Sequence, residues 1–122
     1  MYMKKNISPH VNIYKFPVTA VSSITNRITG LYLTGLFIGS GLYHLKNEES
    51  IYKKYQELEN PIKKILNYSI LFPINYHTFG GIRHFVWDKN PKMLENKNVK
   101  KTSIFLFGFS IVSTIIQEEI LN

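Results

Sequence analysis

His77, Gly81, His84 and Asp88 follow one another at steps of four, three and four residues. On a helix these steps put all four on one face. The segment reads His77-Thr-Phe-Gly-Gly81-Ile-Arg83-His84-Phe-Val-Trp87-Asp88. A neutral imidazole is a good axial ligand for a haem iron. A glycine one turn later lets a flat macrocycle come close to the backbone. A histidine held between helices can equally be a plain hydrogen-bonding group, and spacing alone leaves the two readings open. One histidine supplies one axial ligand. His44 falls at the far end of a separate apolar run, on the side opposite Arg83 and Asp88, so a six-coordinate haem would take its second ligand from another chain.

Ser23 and Arg27 form a second pair. They are four residues apart and share a helical face. A hydroxyl and a guanidinium at a membrane boundary could hydrogen-bond a quinone carbonyl as it gains electrons. Arg27 could also pair with a haem propionate. The plainer reading is that Arg27 reaches lipid phosphates and Ser23 caps a helix.

Both clusters need a scaffold that crosses or borders a membrane. Residues 28–45 and 65–82 are runs of 18 without a charged residue, and 102–117 is a third run of 16. At 1.5 Å per residue, 18 residues span roughly 27 Å, close to the hydrocarbon thickness of a bilayer. Glu118 and Glu119 would then sit at the interface. A soluble three-helix bundle would show a polar face every three to four residues. The stretch 104–116 has no charged face. The first two runs mix in Gly, Ser, Thr, Tyr, Asn and His, which suits helices buried against protein or a cofactor within a membrane complex.

The net charge of +7 is unevenly placed. Residues 1–27 carry Lys4, Lys5, Lys15 and Arg27 and no acid, and residues 83–101 carry six basic residues against Asp88 and Glu95. Residues 46–64 are mixed, with five lysines and four glutamates. By the positive-inside rule the N-terminus and the second loop face the matrix or cytoplasm. The basic residues flank apolar runs and carry no nucleic-acid motif, so topology explains them and no nucleic acid is expected. There is no cysteine, which excludes disulfides and iron–sulfur clusters built from this chain alone. One alanine, two arginines, thirteen lysines, sixteen isoleucines and eleven asparagines are the usage of an AT-rich genome. With no signal peptide or Arg-rich presequence in view, an organelle-encoded mitochondrial chain or an AT-rich alphaproteobacterium is expected.

The local signals divide the chain. Residues 1–15 read as extended, with a turn at Ser8-Pro9. Phe16-Pro17 can start a helix, and residues 18–27 read as a short interfacial helical stretch. Gly35 and Gly39 form a small-xxx-small pair, with Gly30, Ser40 and Gly41 adding small surface for close helix approach. Asn60-Pro61 reads as an N-cap and first-turn proline. Pro73 predicts a kink before His77. Asn90-Pro91 closes the helix, 89–101 reads as a polar loop, and Thr102 or Ser103 would cap the last helix.

Three motifs together resemble the succinate dehydrogenase cytochrome b subunit family. They are Ser8-Pro9-His10-x-x-Ile13-Tyr14-Lys15, Ser23-x-x-Asn26-Arg27-x-Thr29-Gly30, and His77-x-x-x-Gly81-Ile82-Arg83-His84-x-x-Trp87-Asp88. The resemblance covers about residues 8–88. It implies an all-α membrane protein: three transmembrane helices after a short interfacial helical segment, in a haem-binding bundle shared with a second small anchor subunit. Residues 1–122 would be one domain, with spans at about 28–46, 62–87 and 102–120. It implies that His77 ligates haem b and that Ser23 and Arg27 line the ubiquinone site, Arg27 also near the haem propionates. His84 would lie near the haem and Asp88 near the quinone site. The partners implied are the flavoprotein and iron–sulfur subunits, with membrane lipids and ubiquinone. The setting implied is the mitochondrial inner membrane, or a bacterial inner membrane. The chain lacks a Rossmann pattern and cysteine ligands, so it would anchor the enzyme complex and not oxidise succinate itself. The alternatives are a structural anchor without haem or quinone, and a quinol:fumarate reductase anchor. Two positions depart from the family: Asn26 stands where a histidine is usual, and Asn90 where a small or apolar residue is usual.

Overall fold

The computed structural model describes residues 17–47 and 49–121. The extended stretch expected over 1–15, with its Ser8-Pro9 turn and first motif, lies outside the described residues, as does Phe16. The element order is α1 (Val18–Lys46), α2 (Ile51–Gln56), α3 (Asn60–Lys89), a 3₁₀ turn (Pro91–Leu94) and α4 (Asn96–Leu121). No strand occurs among the described residues. At 1.5 Å per residue, the three long helices run roughly 39–45 Å each.

Several ends differ from the expected ones. Residues 18–27 are not a separate interfacial segment. They are the first turns of α1, which continues unbroken from its cap at Pro17. Asn60 is already helical and Glu59 occupies the cap position. Thr102 and Ser103 do not cap α4. Both bond back to the Val99 carbonyl inside the helix, at 3.1 and 2.7 Å. The helix starts at Asn96, where the Glu95 carbonyl accepts from the amides of Asn98 and Val99. Polar residues do not stop a helix; they only move its first turns out of the apolar layer. The short α2 was not foreseen, although Ser50 caps it by accepting from the Tyr52 amide. Asn90 does end α3, as expected, and α3 passes through the buried Pro73 without a break.

α3 runs antiparallel to both of its long neighbours. Ser22, early in α1, meets Tyr76 and Arg83 in the second half of α3. Arg83 in turn meets Ser103, early in α4. Further along, Asn75 donates to Thr114 Oγ1 at 3.0 Å and Gln117 Oε1 at 2.8 Å, late in α4. The start of α1 and the α3–α4 connection therefore share one end of the bundle. These are the two basic segments of the sequence.

The packing is inverted relative to a soluble bundle. The buried apolar side chains among the described residues are Tyr76, Leu106 and Pro73, whereas Ser22, Thr29, Asn75, Ser103, Ser110, Thr114 and Glu118 are all buried. Large apolar side chains face outward, Phe37 at 80% and Leu31 at 75% exposure. Lipid tails are as apolar as leucine, so in a bilayer small and polar residues gain by facing one another. The fold is thus all-α with the polarity of a membrane protein. α4 is the one helix among the described residues long and apolar enough, by composition alone, to cross a membrane. Glu118 lies on its buried face.

Candidate functional site

The motif on α3 separates into two stripes offset by one residue. His77, Gly81, His84 and Asp88 all face outward. Tyr76 and Gly80 are buried and Arg83 and Trp87 half-buried, at the same helical spacing. The outward stripe is the one whose chemistry the spacing suggested. The inward stripe holds the bundle together.

His77 is placed by α1. Its Nδ1 lies 3.0 Å from the Asn26 carbonyl oxygen. A carbonyl only accepts, so Nδ1 carries the proton and donates. The Nε2 lone pair is then left for a ligand, and the backbone contact fixes the ring's tautomer and direction. The ring rests on Gly30, where a Cβ would come within 2.6 Å of His77 Cε1. Gly81, one turn on, has nothing within 4 Å of where a Cβ would sit. Ile70 and Ile74 precede His77 by seven and three residues and so continue its face. They line an open apolar groove of about 710 Å³ between α1 and α3, together with Leu33, Leu36 and Phe37. An exposed imidazole with one nitrogen committed, beside an apolar groove and a bare glycine, suits an axial ligand of a flat apolar macrocycle. The residues fit a haem.

The inward stripe carries a network that the sequence reading did not single out. The Tyr76 hydroxyl lies 2.8 Å from Ser22 Oγ and donates to the Ser22 carbonyl at 3.0 Å. Arg83 donates through Nη2 to Ser22 Oγ at 3.0 Å and through Nη1 to Ser103 Oγ at 2.9 Å. Its guanidinium also stands 4.5 Å from the centroid of the Trp87 ring. One side chain thus ties α1, α3 and α4 together. Spacing alone puts Tyr76 and Arg83, seven apart on α3, on one face, and does not reveal their partners on α1 and α4.

The other expected residues lie apart from this network. Ser23 and Arg27 are exposed on α1, while their neighbours Ser22 and Thr29 are buried and Asn26 is half-buried. Neither side chain is hydrogen-bonded to a described residue. His84 is exposed and packs edge-on to Trp87, with ring centroids 5.0 Å apart. Asp88 is exposed near the end of α3 and forms no ion pair among the described residues. The close approach expected at Gly35 and Gly39 does not occur among the described residues, since none lies within 4 Å of a Cβ at either position.

Residues 1–117 match the model of the succinate dehydrogenase/fumarate reductase transmembrane subunit. The chain belongs to that family. A succinate dehydrogenase cytochrome b560 subunit of Reclinomonas americana is 35% identical over 124 residues, covering 95% of this chain and 85% of the relative. The mitochondrial cytochrome b560 subunit of Dictyostelium discoideum is 33% identical over 117 residues, 88% of this chain. The chain spans 58% of that relative's length. A cytochrome b560 subunit of Cyanidium caldarium is 32% identical, covering 86% of each chain. The resemblance read from the three motifs is thereby borne out at the level of the family.

The three-helix bridge yields a test within this family fold. Lysine keeps the charge but cannot reach Ser22 and Ser103 with separate arms. Arg83→Lys should lower the thermal stability of the purified membrane complex, by about 2 kcal/mol for one lost charge-assisted hydrogen bond. Unchanged stability would mean that the two serines do not hold the guanidinium.

Proposed function

We propose that this chain is the haem b-bearing membrane anchor of a succinate:ubiquinone oxidoreductase, lying in the mitochondrial inner membrane. The observation that carries the reading is the His77 imidazole. Its Nδ1 is committed to the Asn26 carbonyl, and the exposed ring stands one helical turn from Ile74, which lines an apolar groove. Haem b, when bound there, supplies a one-electron redox centre within the membrane. His77 would hold the iron, and a second small anchor subunit would bring the other axial ligand. His84, set edge-on against Trp87, lies near the haem without ligating it. The flavoprotein and iron–sulfur subunits would dock at the basic end of the bundle.

All three long helices would span the bilayer, the first two shielding their polar residues against the partner anchor. The basic N-terminal segment and the α3–α4 connection then face the matrix, and the C-terminus lies opposite. On intact mitoplasts a protease should remove a C-terminal tag and spare an N-terminal one. Cleavage of both from one face excludes three spans.

Ser23 and Arg27 would line the ubiquinone site, with Asp88 near it. They share an outward face of α1 at the basic end, open to a partner and to a quinone head group. A charge-assisted hydrogen bond from Arg27 strengthens as a quinone oxygen gains negative charge, which is the kind of interaction that lowers a barrier. Arg27 would also neutralise a haem propionate.

Two measurements follow. His77→Ala should abolish the low-spin haem spectrum of the complex and His84→Ala should keep it; the reverse pattern overturns the assignment. Ser23→Ala and Arg27→Ala should each slow quinone reduction on the order of tenfold to a hundredfold, for a loss of roughly 1–3 kcal/mol. Succinate oxidation by a soluble dye should be spared. Equal loss of both activities indicates failed assembly, and unchanged quinone turnover removes these residues from the site.

A further inference from the structure

We propose that Gly80 and Gly30 form a reciprocal lock between α3 and α1 that positions the His77 imidazole, so that Gly80 tunes the haem without touching it. The proposal rests on the reading of His77 as the haem ligand. Each helix contributes one glycine and one side chain that fills the other's glycine. The His77 ring sits on Gly30, where a Cβ would stand 2.6 Å from Cε1 and 3.1 Å from Nδ1. The Asn26 side chain sits on Gly80, where a Cβ would overlap the amide oxygen and stand 3.0 Å from Cγ. Asn26 and Gly30 are one turn apart on α1, and His77 and Gly80 are one turn apart on α3. The two contacts therefore close a small rectangle with the Asn26 carbonyl bond to His77 inside it.

Shape holds the Asn26 side chain in place. Its amide oxygen is buried and accepts no hydrogen bond from the described residues. Gly80 is itself buried and helical, so its value lies in the missing side chain and not in backbone freedom. A methyl at residue 80 would press on Asn26 and drive α1 away from α3. The first bond to lengthen would be the one from His77 Nδ1 to the Asn26 carbonyl, at 3.0 Å. That bond raises the basicity of the ligating nitrogen. Weakening it favours the reduced iron and raises the midpoint potential. Gly30 differs in kind, because a methyl there strikes the imidazole directly.

The test uses the assembled membrane complex with Gly80→Ala, Asn26→Ala and the two combined. Redox titration of the haem is the decisive readout, with thermal stability alongside. Gly80→Ala should raise the midpoint potential. A tenfold change in the relative stability of the two oxidation states would be about 59 mV for this one-electron couple. The combined variant should recover both potential and stability, because removing the Asn26 side chain makes room for the methyl and keeps the main-chain carbonyl. Gly30→Ala should lose or perturb the haem, and Asn26→Ala should not rescue it. If Gly80→Ala does not assemble, rescue by Asn26→Ala in the same chain supports the lock, and failure of rescue overturns it. An unshifted potential in Gly80→Ala, with haem still dependent on His77, overturns the lock and leaves the ligand assignment standing. Haem that survives His77→Ala overturns both, and any remaining stability coupling between residues 26 and 80 is then packing alone.

Discussion

A guanidinium held between three helices cannot face lipid unsatisfied, and Arg83 is such a group. Its two terminal nitrogens donate to Ser22 and Ser103, on the two helices that flank α3. Leaving a charge without partners inside an apolar medium costs several kcal/mol, so these partners fix how α1 and α4 sit against α3. Tyr76 extends the constraint two turns earlier by bonding Ser22 twice. With α1 docked through Ser22, Asn26 falls one turn further on and meets His77. The outward imidazole is thus oriented by a half-buried cation six residues away on the same helix.

The inverted polarity follows from the same physics. A seam of Ser22, Thr29, Asn75, Ser103, Ser110 and Thr114 is buried while Leu31, Phe37 and Ile120 are not. In water this arrangement would forgo nearly all apolar burial. In a bilayer apolar burial gains little, and hydrogen bonds such as Asn75 to Thr114 and Gln117 become the specific contacts between helices. Gly35 and Gly39 remain open along α1.

The sequence disclosed the outward stripe more readily than the inward one, and the reason is chemical. Histidine and aspartate at helical spacing in an apolar run are conspicuous because nothing structural requires them there. Ser22, Tyr76 and Ser103 are ordinary in such runs, and only their partners make them matter. Those partners lie 54, 61 and 20 residues apart in the chain, which no local pattern encodes. Arg83 was visible as a charge, but its role depends on two serines from other helices. Helix ends were misjudged at Asn96 because composition marks where the apolar layer begins, not where hydrogen bonding does. Gly80 and Gly81 lie about 100° apart around α3, and only the fold distinguishes the filled one from the open one.

Asn26 shows how a departure from the family pattern can leave the ligand geometry intact. A histidine at that position would bring a ring able to carry charge; asparagine cannot. The group that orients His77, however, is the main-chain carbonyl of residue 26, which every residue type supplies equally. What the residue type does control is the volume seated on Gly80, and that seat has room for a short amide but not for both the amide and a methyl. Residue 26 is therefore under two separate constraints, one indifferent to its identity and one sensitive to its size. The first preserves the direction of the imidazole through substitution. The second couples residue 26 to residue 80, so a side chain added at residue 80 requires a smaller one at residue 26.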